Sequence, residues 1–370
     1  MKILFISAFP PNSKTAGQDY SHRLILDLVN RGHDVSLVYA CYTWHDVEVP
    51  KSVKIIRTIT PSLFNCLNRI DLHPIFTRRF SKAVLSTVQK IAGGFDVLYF
   101  DFSQVHVYSL YVNHPQKILM CHDVMAQKYT RKNRIQLPCV KRSEQKILSS
   151  AAYIITFSEK DVALIKHNYA LKAHSVNFYL KTSRFSFESV KVEHSTFCFY
   201  GAWNRSENLC ALKEFLKTAY GKLPCGITIK IIGGGLSKKE VEWISRLNNV
   251  SYLGFVENPI AEIAKCQALI APLKTGAGVK MKVIDALSCG TPVIGTDIAF
   301  EGVVDNEKHK LFHTAKNTAE IMAILKTWNE VTAEYKQNAA DEFFRRYDTN
   351  HFPDLLADLA KGAAHDHSAH

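Results

Sequence analysis

Between Ala271 and Thr296 the chain reads APLKTGAGVKMKVIDALSCGTPVIGT, residue types and spacing suited to a phosphorylated diol. Gly276 and Gly278 fall in the loop after an apolar strand, Ala268 to Ala271, and Lys280, Lys282 and Asp285 fall on the helix that follows. Glycines without a Cβ let backbone N–H groups come close to an anion, and the start of the helix adds its partial positive charge. Two lysines at that point can neutralise a diphosphate. A carboxylate one turn further along can accept hydrogen bonds from vicinal hydroxyls. Phosphates beside a diol describe a nucleotide, with Ala277 and Val279 contributing backbone to the loop. The competing reading, a tight strand-to-helix turn with solvated lysines, is the weaker one because the lysines follow the glycines directly.

The block resembles the donor-binding loop and helix of family 4 glycosyltransferases, two-domain enzymes of the GT-B fold. Their pattern in this sub-group runs roughly G-x-G-x-[KR]-x-K-x-x-E-A-x-A-x-G-x-P-V-V, with Asp285 here in place of the glutamate. Further matches stand in the same order: Phe199-Tyr200-Gly201 followed by Asn208, Ile231-Ile232-Gly233, Tyr252-Leu253-Gly254-Phe255-Val256, and Gly290-x-Pro292-Val293-Ile294. The resemblance implies Lys280 and Lys282 as the groups that meet charge on the leaving diphosphate. It implies Gly201, Gly233, Phe255, Val256, the residues Gly276, Ala277, Gly278 and Val279, and Asp285 as donor contacts. Two basic family positions are Ala202 and Asn208 here, with Arg205 as the candidate substitute, and the family's earlier glutamate is Ala277.

From the first half of the chain the resemblance adds Gly17, in the loop after the first strand, and His122, at the end of the strand Lys117 to Met120. His122 is the third candidate catalytic residue, expected to contact the donor sugar. The neighbouring pair His122-Asp123 can also be read as a base and its orienting carboxylate, as an inverting enzyme would use them.

Positioning these residues requires strands that alternate with helices. Lys2 to Ser7, Asp34 to Tyr39, Val53 to Arg57, Asp96 to Phe100, Lys117 to Met120 and Ala152 to Thr156 read as strands, with a helix over Gln18 to Asn30. A polar stretch, about Leu171 to Val192, reads as a connection. The pattern restarts with strands at Thr196 to Tyr200, Ile227 to Ile232 and Val250 to Leu253. Helices read over Asn208 to Thr218, Lys238 to Leu247 and Pro259 to Cys266. Short strands separated by helices imply α/β parallel sheets with crossovers; the resemblance implies the GT-B form of that class, two Rossmann-like doubly wound parallel-sheet domains facing a cleft. The resemblance implies an acceptor domain over 1–175, a nucleotide-sugar domain over 193–340 and a helical segment over 341–361 that returns to the first domain, while 362–370 read as a disordered tail holding His365, His367 and His370.

Composition supports a globular chain: 370 residues, 47% hydrophobic and 22% charged. Met1 to Ser7 reads as a strand rather than a leader, and no apolar run is long enough to span a bilayer. Nine cysteines stand without a C-x-x-C pair, so neither a disulfide framework nor a zinc site is expected, and a reduced, cytoplasmic protein is. A net charge of +12 asks for an anionic partner. Pro74 to Ile91 reads as one basic amphipathic helix that can lie on anionic lipid at the inner face of a cell membrane, or else pack as an ordinary surface helix. Further basic residues run from Lys128 through Arg131, Lys132, Arg134, Lys141, Arg142 and Lys146. No nucleic-acid motif is present. The resemblance implies a retaining, metal-independent transferase of sugar from a nucleotide-diphosphate donor to a saccharide or lipid-linked anionic acceptor, as in surface polysaccharide or lipopolysaccharide synthesis, with no cofactor. The alternatives are a sugar-nucleotide epimerase or phosphorylase on the same fold, and a catalytically weak nucleotide-sugar-binding adaptor.

Overall fold

The structure is a computed structural model, and it describes residues 1–13, 16–42, 46–176, 186–187, 190–219, 221–303, 310–347 and 351–360. By compactness the chain forms two units, Met1–Leu180 with Thr349–His370, and Lys181–Asp348.

The first unit holds seven parallel strands: β1 Lys2–Ser7, β2 Asp34–Ala40, β3 Lys54–Ile59, β4 Val97–Asp101, β5 Lys117–Cys121, β6 Tyr153–Thr156 and β7 His174–Ser175. Their order across the sheet is β3-β2-β1-β4-β5-β6-β7. Every residue of β4 is buried, as is all of β1 beyond Lys2. Helices on both faces of a parallel sheet demand such unbroken apolar strands. The second unit holds six: β8 Thr196–Tyr200, β9 Thr228–Ile232, β10 Val250–Gly254, β11 Leu269–Ala271, β12 Val293–Gly295 and β13 Phe312–Thr314, in the order β10-β9-β8-β11-β12-β13. Both sheets reverse direction of winding beside their first strand, between β1 and β4 and between β8 and β11. Ligands of open α/β sheets sit at the carboxyl ends of the strands at that point.

The expected strands fall where they were read, within a residue or two. Two strands are additions, β13 and β7, the latter inside the stretch read as a connection; residues 177–185 and 188–189 of that stretch are outside the described residues. The helix over Pro74 to Ile91 is a correction. Two helices form instead, Pro74–Thr77 and Lys82–Ile91. The Tyr108 hydroxyl enters the gap, donating to Arg79 O and accepting from Ser81 N, each at 2.8 Å. The Ser81 side chain then caps the second helix at Val84 N. Phe76, Phe80, Val84 and Val88 are buried in the core. Arg79 Nε donates to Ala8 O at 3.0 Å while its guanidinium lies 4.8 Å from the Phe9 ring centre, so this arginine is part of the fold rather than of a lipid-facing surface.

The last helices divide between the units. Ala333–Arg346 belongs to the second, and His351–Ala360 to the first, where Phe352 meets the rings of Tyr20 and Tyr99 and Asp354 pairs with Arg31. The tail 362–370, with His365, His367 and His370, lies outside the described residues.

A buried lysine ties Ala333–Arg346 to the turn before β12. Lys336 is 0% exposed, and its ammonium donates to Ala264 O at 2.7 Å, to Thr291 Oγ1 at 3.1 Å and to Cys266 O. Burial lowers its pKa. The Lys336 carbonyl in turn presses on Gly290, whose φ is +59° and whose Cβ, if it had one, would stand 1.9 Å from that oxygen. Gly290→Ala is therefore expected to yield a folded but weakened protein, with about 2 kcal/mol or more lost from the second unit in denaturant unfolding. An unchanged midpoint would remove Lys336 and Gly290 from any part in holding this turn.

Candidate functional site

In the second unit the loop from Pro272 leads out of β11 into the helix Met281–Ser288. Lys280 stands at the helix N-cap, and its ammonium turns back on the loop to donate to Gly278 O at 2.6 Å and Ala277 O at 3.1 Å. Glu301 Oε2 approaches the same ammonium at 3.9 Å. Lys280 thus braces the loop whose charge it supplies.

Lys282 is directed across to the other side of the switch point. Its Nζ donates to Asn208 Oδ1 at 2.8 Å, and Asn208 Nδ2 is committed to Ala202 O at 3.0 Å. Gly201, at the end of β8, makes the room: a Cβ there would stand 3.2 Å from the Lys282 ammonium and 3.0 Å from Asn208 Nδ2. Burial lowers the Lys282 pKa to about 7; Glu207 opposes the shift, and the cations of Arg205 and Lys280 add to it. A cation held mainly against a neutral carboxamide, with two more cations near, is a place suited to an anion.

Gly233 closes the same corner. It has φ +108°, its N–H donates to Gly254 O at 2.8 Å, and a Cβ would fall 2.1 Å from Gly201 O. The ends of β8, β9 and β10 therefore meet without intervening side chains. Beside them Phe255 is 74% exposed, an apolar ring left in water next to Gly234, and Val256 follows it half-buried. Arg205 is exposed in the loop ahead of the helix Ser206–Ala219. Asp285 is half-buried on the helix Met281–Ser288, three residues beyond Lys282. Gly201, Gly233, Gly276, Gly278, Lys280, Lys282 and Arg205 are thus gathered at one end of one sheet. Two further residues join them that the sequence does not mark as site residues: Asn208, which stands at a basic family position, and Glu301, which follows β12 with no motif to mark it.

In the first unit, Gly17 lies in the first turn of the helix Ala16–Asn30 rather than in the preceding loop. A Cβ on it would stand 3.1 Å from Phe102 Cζ. Phe102, which has φ +70°, stacks on the His122 ring with centroids 3.5 Å apart. Tyr20 and Phe157 meet the His122 ring edge-on. Its Nε2 is 2.7 Å from Asp101 Oδ1, and Asp101, fully buried at the end of β4, also accepts from Ser21 Oγ. The orienting carboxylate is therefore Asp101. Asp123, adjacent in sequence, instead lies 3.8 Å from the Lys128 ammonium. A hydrogen bond from Nε2 to Asp101 Oδ1 selects the tautomer of the neutral ring in which Nδ1 is the acceptor nitrogen.

Residues 194–328 match the family model of glycosyl transferases group 1. No protein of curated function matches the sequence. Among solved structures, HepE of Anabaena in complex with UDP is similar over 98% of this chain and 100% of its own, at 15% identity and a TM-score of 0.68. TarM is similar over 97% and 99%, at 12% identity and a TM-score of 0.71. WaaG, a glycosyltransferase involved in lipopolysaccharide biosynthesis, is similar over 97% and 100%, at 13% identity and a TM-score of 0.66. At such identities the likeness is one of fold: two parallel-sheet α/β domains, as in GT-B glycosyltransferases.

The half-buried Lys282 has a consequence for stability. Below about pH 7 the ammonium is charged in both folded and unfolded chains, and folding bears the whole cost of burying it. As pH rises from about 7 toward the ordinary 10.5, the unfolded chain keeps a proton that the folded one has lost, so stability rises with pH across that window. Lys282→Met is expected to take one proton's worth of upward slope out of the stability–pH curve. Parallel curves for the two proteins between those limits would mean that the ammonium is not buried as described.

Proposed function

We propose that this chain is a glycosyltransferase that moves a sugar from a nucleotide-diphosphate donor to a saccharide acceptor, with retention and without a metal ion. The reading is carried by Lys282, set against Asn208 beneath Gly201 with Lys280 and Arg205 near it. A leaving nucleoside diphosphate supplies the negative charge that this corner is arranged to receive. HepE in complex with UDP and with UDP-glucose, and a TarM variant in complex with UDP and alpha-GlcNAc-glycerol, support a donor of this class. WaaG supports a role in bacterial surface polysaccharide or lipopolysaccharide synthesis.

The bond from the sugar's anomeric carbon to the diphosphate breaks with its electron pair going to the phosphate oxygen. Lys282, with Lys280 behind it, meets that charge where it develops, which is commonly the largest catalytic contribution. For retention, the acceptor hydroxyl attacks from the face the diphosphate leaves, and its proton passes to the departing oxygen. Asp285 holds the ribose hydroxyls through charge-assisted hydrogen bonds. Phe255 offers an apolar face to the base. On the first unit, His122 presents Nδ1 to a sugar hydroxyl while Asp101 holds its tautomer.

A thermal-shift panel of UDP, GDP, CMP, ADP and dTDP tests the donor class, since a ligand of the folded state alone raises its melting temperature. Lys282→Ala is expected to lower transfer by about a hundredfold or more with the fold intact, and Lys280→Ala by less, because part of its role is to brace the loop. Excess EDTA should leave the wild-type rate unchanged. Wild-type turnover in Lys282→Ala, or loss of activity in EDTA, contradicts the lysine clamp.

Asp101→Asn is expected to reduce kcat/KM in parallel with His122→Ala, each by about a hundredfold. Full activity in Asp101→Asn would free His122 of any need for its partner.

A further inference from the structure

The described residues include eight large hydrophobic side chains that are exposed, and four of them fall within 63–70: Leu63, Phe64, Leu67 and Ile70, at 69, 79, 72 and 85% exposure. Leu63, Phe64 and Leu67 belong to the 3₁₀ turn Leu63–Arg69, which has no buried residue, and Ile70 is its C-cap. At three residues per turn, Phe64, Leu67 and Ile70 share one face. The turn is nonetheless firmly seated. The Ser62 side chain caps it at Phe64 N, Ser62 N donates to Arg78 O at 3.1 Å, and the Asn65 side-chain amide donates to Thr60 O at 2.9 Å and Arg78 O at 3.1 Å. An apolar row held outward by its polar residues is not the product of a slack loop. Contiguous apolar surface of this kind marks an interaction site.

The neighbouring groups say what covers it. Arg69 is bonded to Asp71 through Nε at 2.8 Å and Nη2 at 2.6 Å, and Lys146 reaches the same carboxylate at 3.0 Å. Two cations share one acid, whose pKa the Arg69 hydrogen bond holds far below the carboxylate range. Arg78 is exposed at the base of the turn. The helix Leu137–Leu148 abuts through Ser143, whose hydroxyl accepts from His73 N at 2.8 Å, and exposes Arg142 beside it. Gln136 lies 3.3 Å from His73 Nε2, and next to it Ile135 is 92% exposed and Arg134 is exposed. Around the turn Arg69, Arg78, Arg134, Arg142 and Lys146 stand against the single acid Asp71, an excess of positive charge in a chain of net charge +12. A second copy would bring like charges face to face, which opposes self-association. A surface both apolar and anionic is met by a bilayer containing acidic lipid, into which apolar side chains enter while arginines and lysines stay at the headgroups.

We propose that the turn Leu63–Arg69 with Ile70, rimmed by Arg69, Arg78, Arg134, Arg142 and Lys146, is a docking surface for an anionic lipid bilayer. The surface differs from the one the sequence suggested: Pro74 to Ile91 turns its apolar side inward, and the lipid-facing residues lie just before it. The proposal stands apart from the donor site, which is on the other unit.

The full chain should co-sediment with vesicles of phosphatidylcholine containing about a third phosphatidylglycerol, poorly with phosphatidylcholine alone, and less as salt rises. The double substitution Phe64→Ser, Leu67→Ser should cut the bound fraction about tenfold or more, as should Arg78→Glu with Lys146→Glu. Phe64→Trp should show quenching of its added fluorescence by brominated lipid, which reports insertion rather than attraction alone. The shift in melting temperature given by a nucleoside diphosphate should be the same in all variants, which certifies their folding and keeps failure here distinct from failure of the transferase reading. Absence of wild-type binding to the acidic vesicles, or full binding by the serine variant, overturns the proposal. So does concentration-dependent self-association that the serine variant abolishes, which would assign the patch to a second copy.

Discussion

A lysine ammonium set against a carboxamide instead of a carboxylate is the constraint around which the second unit's strand ends are arranged. Lys282 is partly withdrawn from water with Asn208 Oδ1 at 2.8 Å, and Asn208 is held in place because its own amide is engaged with Ala202 O. A cation partly shielded from water and facing a neutral partner is costly, and the cost appears as a pKa lowered to about 7. The bare Cα of Gly201 leaves room for it, and Gly201 O is in turn crowded by Gly233, where a Cβ would fall 2.1 Å away. Had a carboxylate stood at position 208, the ammonium would be satisfied internally and would have little attraction left for an outside anion.

The first unit meets the same problem in the opposite way. There a carboxylate, Asp101, is fully buried, and its two oxygens are used by Ser21 and His122. The His122 ring is fixed by stacking on Phe102 and by the edges of Tyr20 and Phe157, so its position is set by packing and its tautomer by the acid. One unit thus keeps a cation against a neutral amide, and the other keeps an imidazole against a buried acid. Both features lie at carboxyl ends of parallel strands, where backbone N–H groups and helix starts are directed.

The charge of the chain is also distributed by the fold. The arginine most deeply used, Arg79, is spent on Ala8 O and the Phe9 ring, while exposed cations gather around the apolar turn 63–70. Tyr108 is responsible for part of this, since its hydroxyl interrupts what would otherwise be one helix and turns Phe80 into the core.

What the sequence determined by itself was local. The alternation of apolar strands with helices, the restart near Thr196, and the block from Gly276 to Asp285 all depend on spacing within a few residues, where periodicity and backbone chemistry act directly. The pairings were decided only by tertiary structure. Lys282 and Asn208 are 74 residues apart, His122 and Asp101 are 21 apart, and Lys336 reaches carbonyls more than 60 residues away. Such contacts follow from which strands lie side by side, and that order is set by crossover and packing across the whole sheet rather than by any segment. For this reason Asp123 looked like the partner of His122 from adjacency, while the strand order placed β4 beside β5 and supplied Asp101 instead.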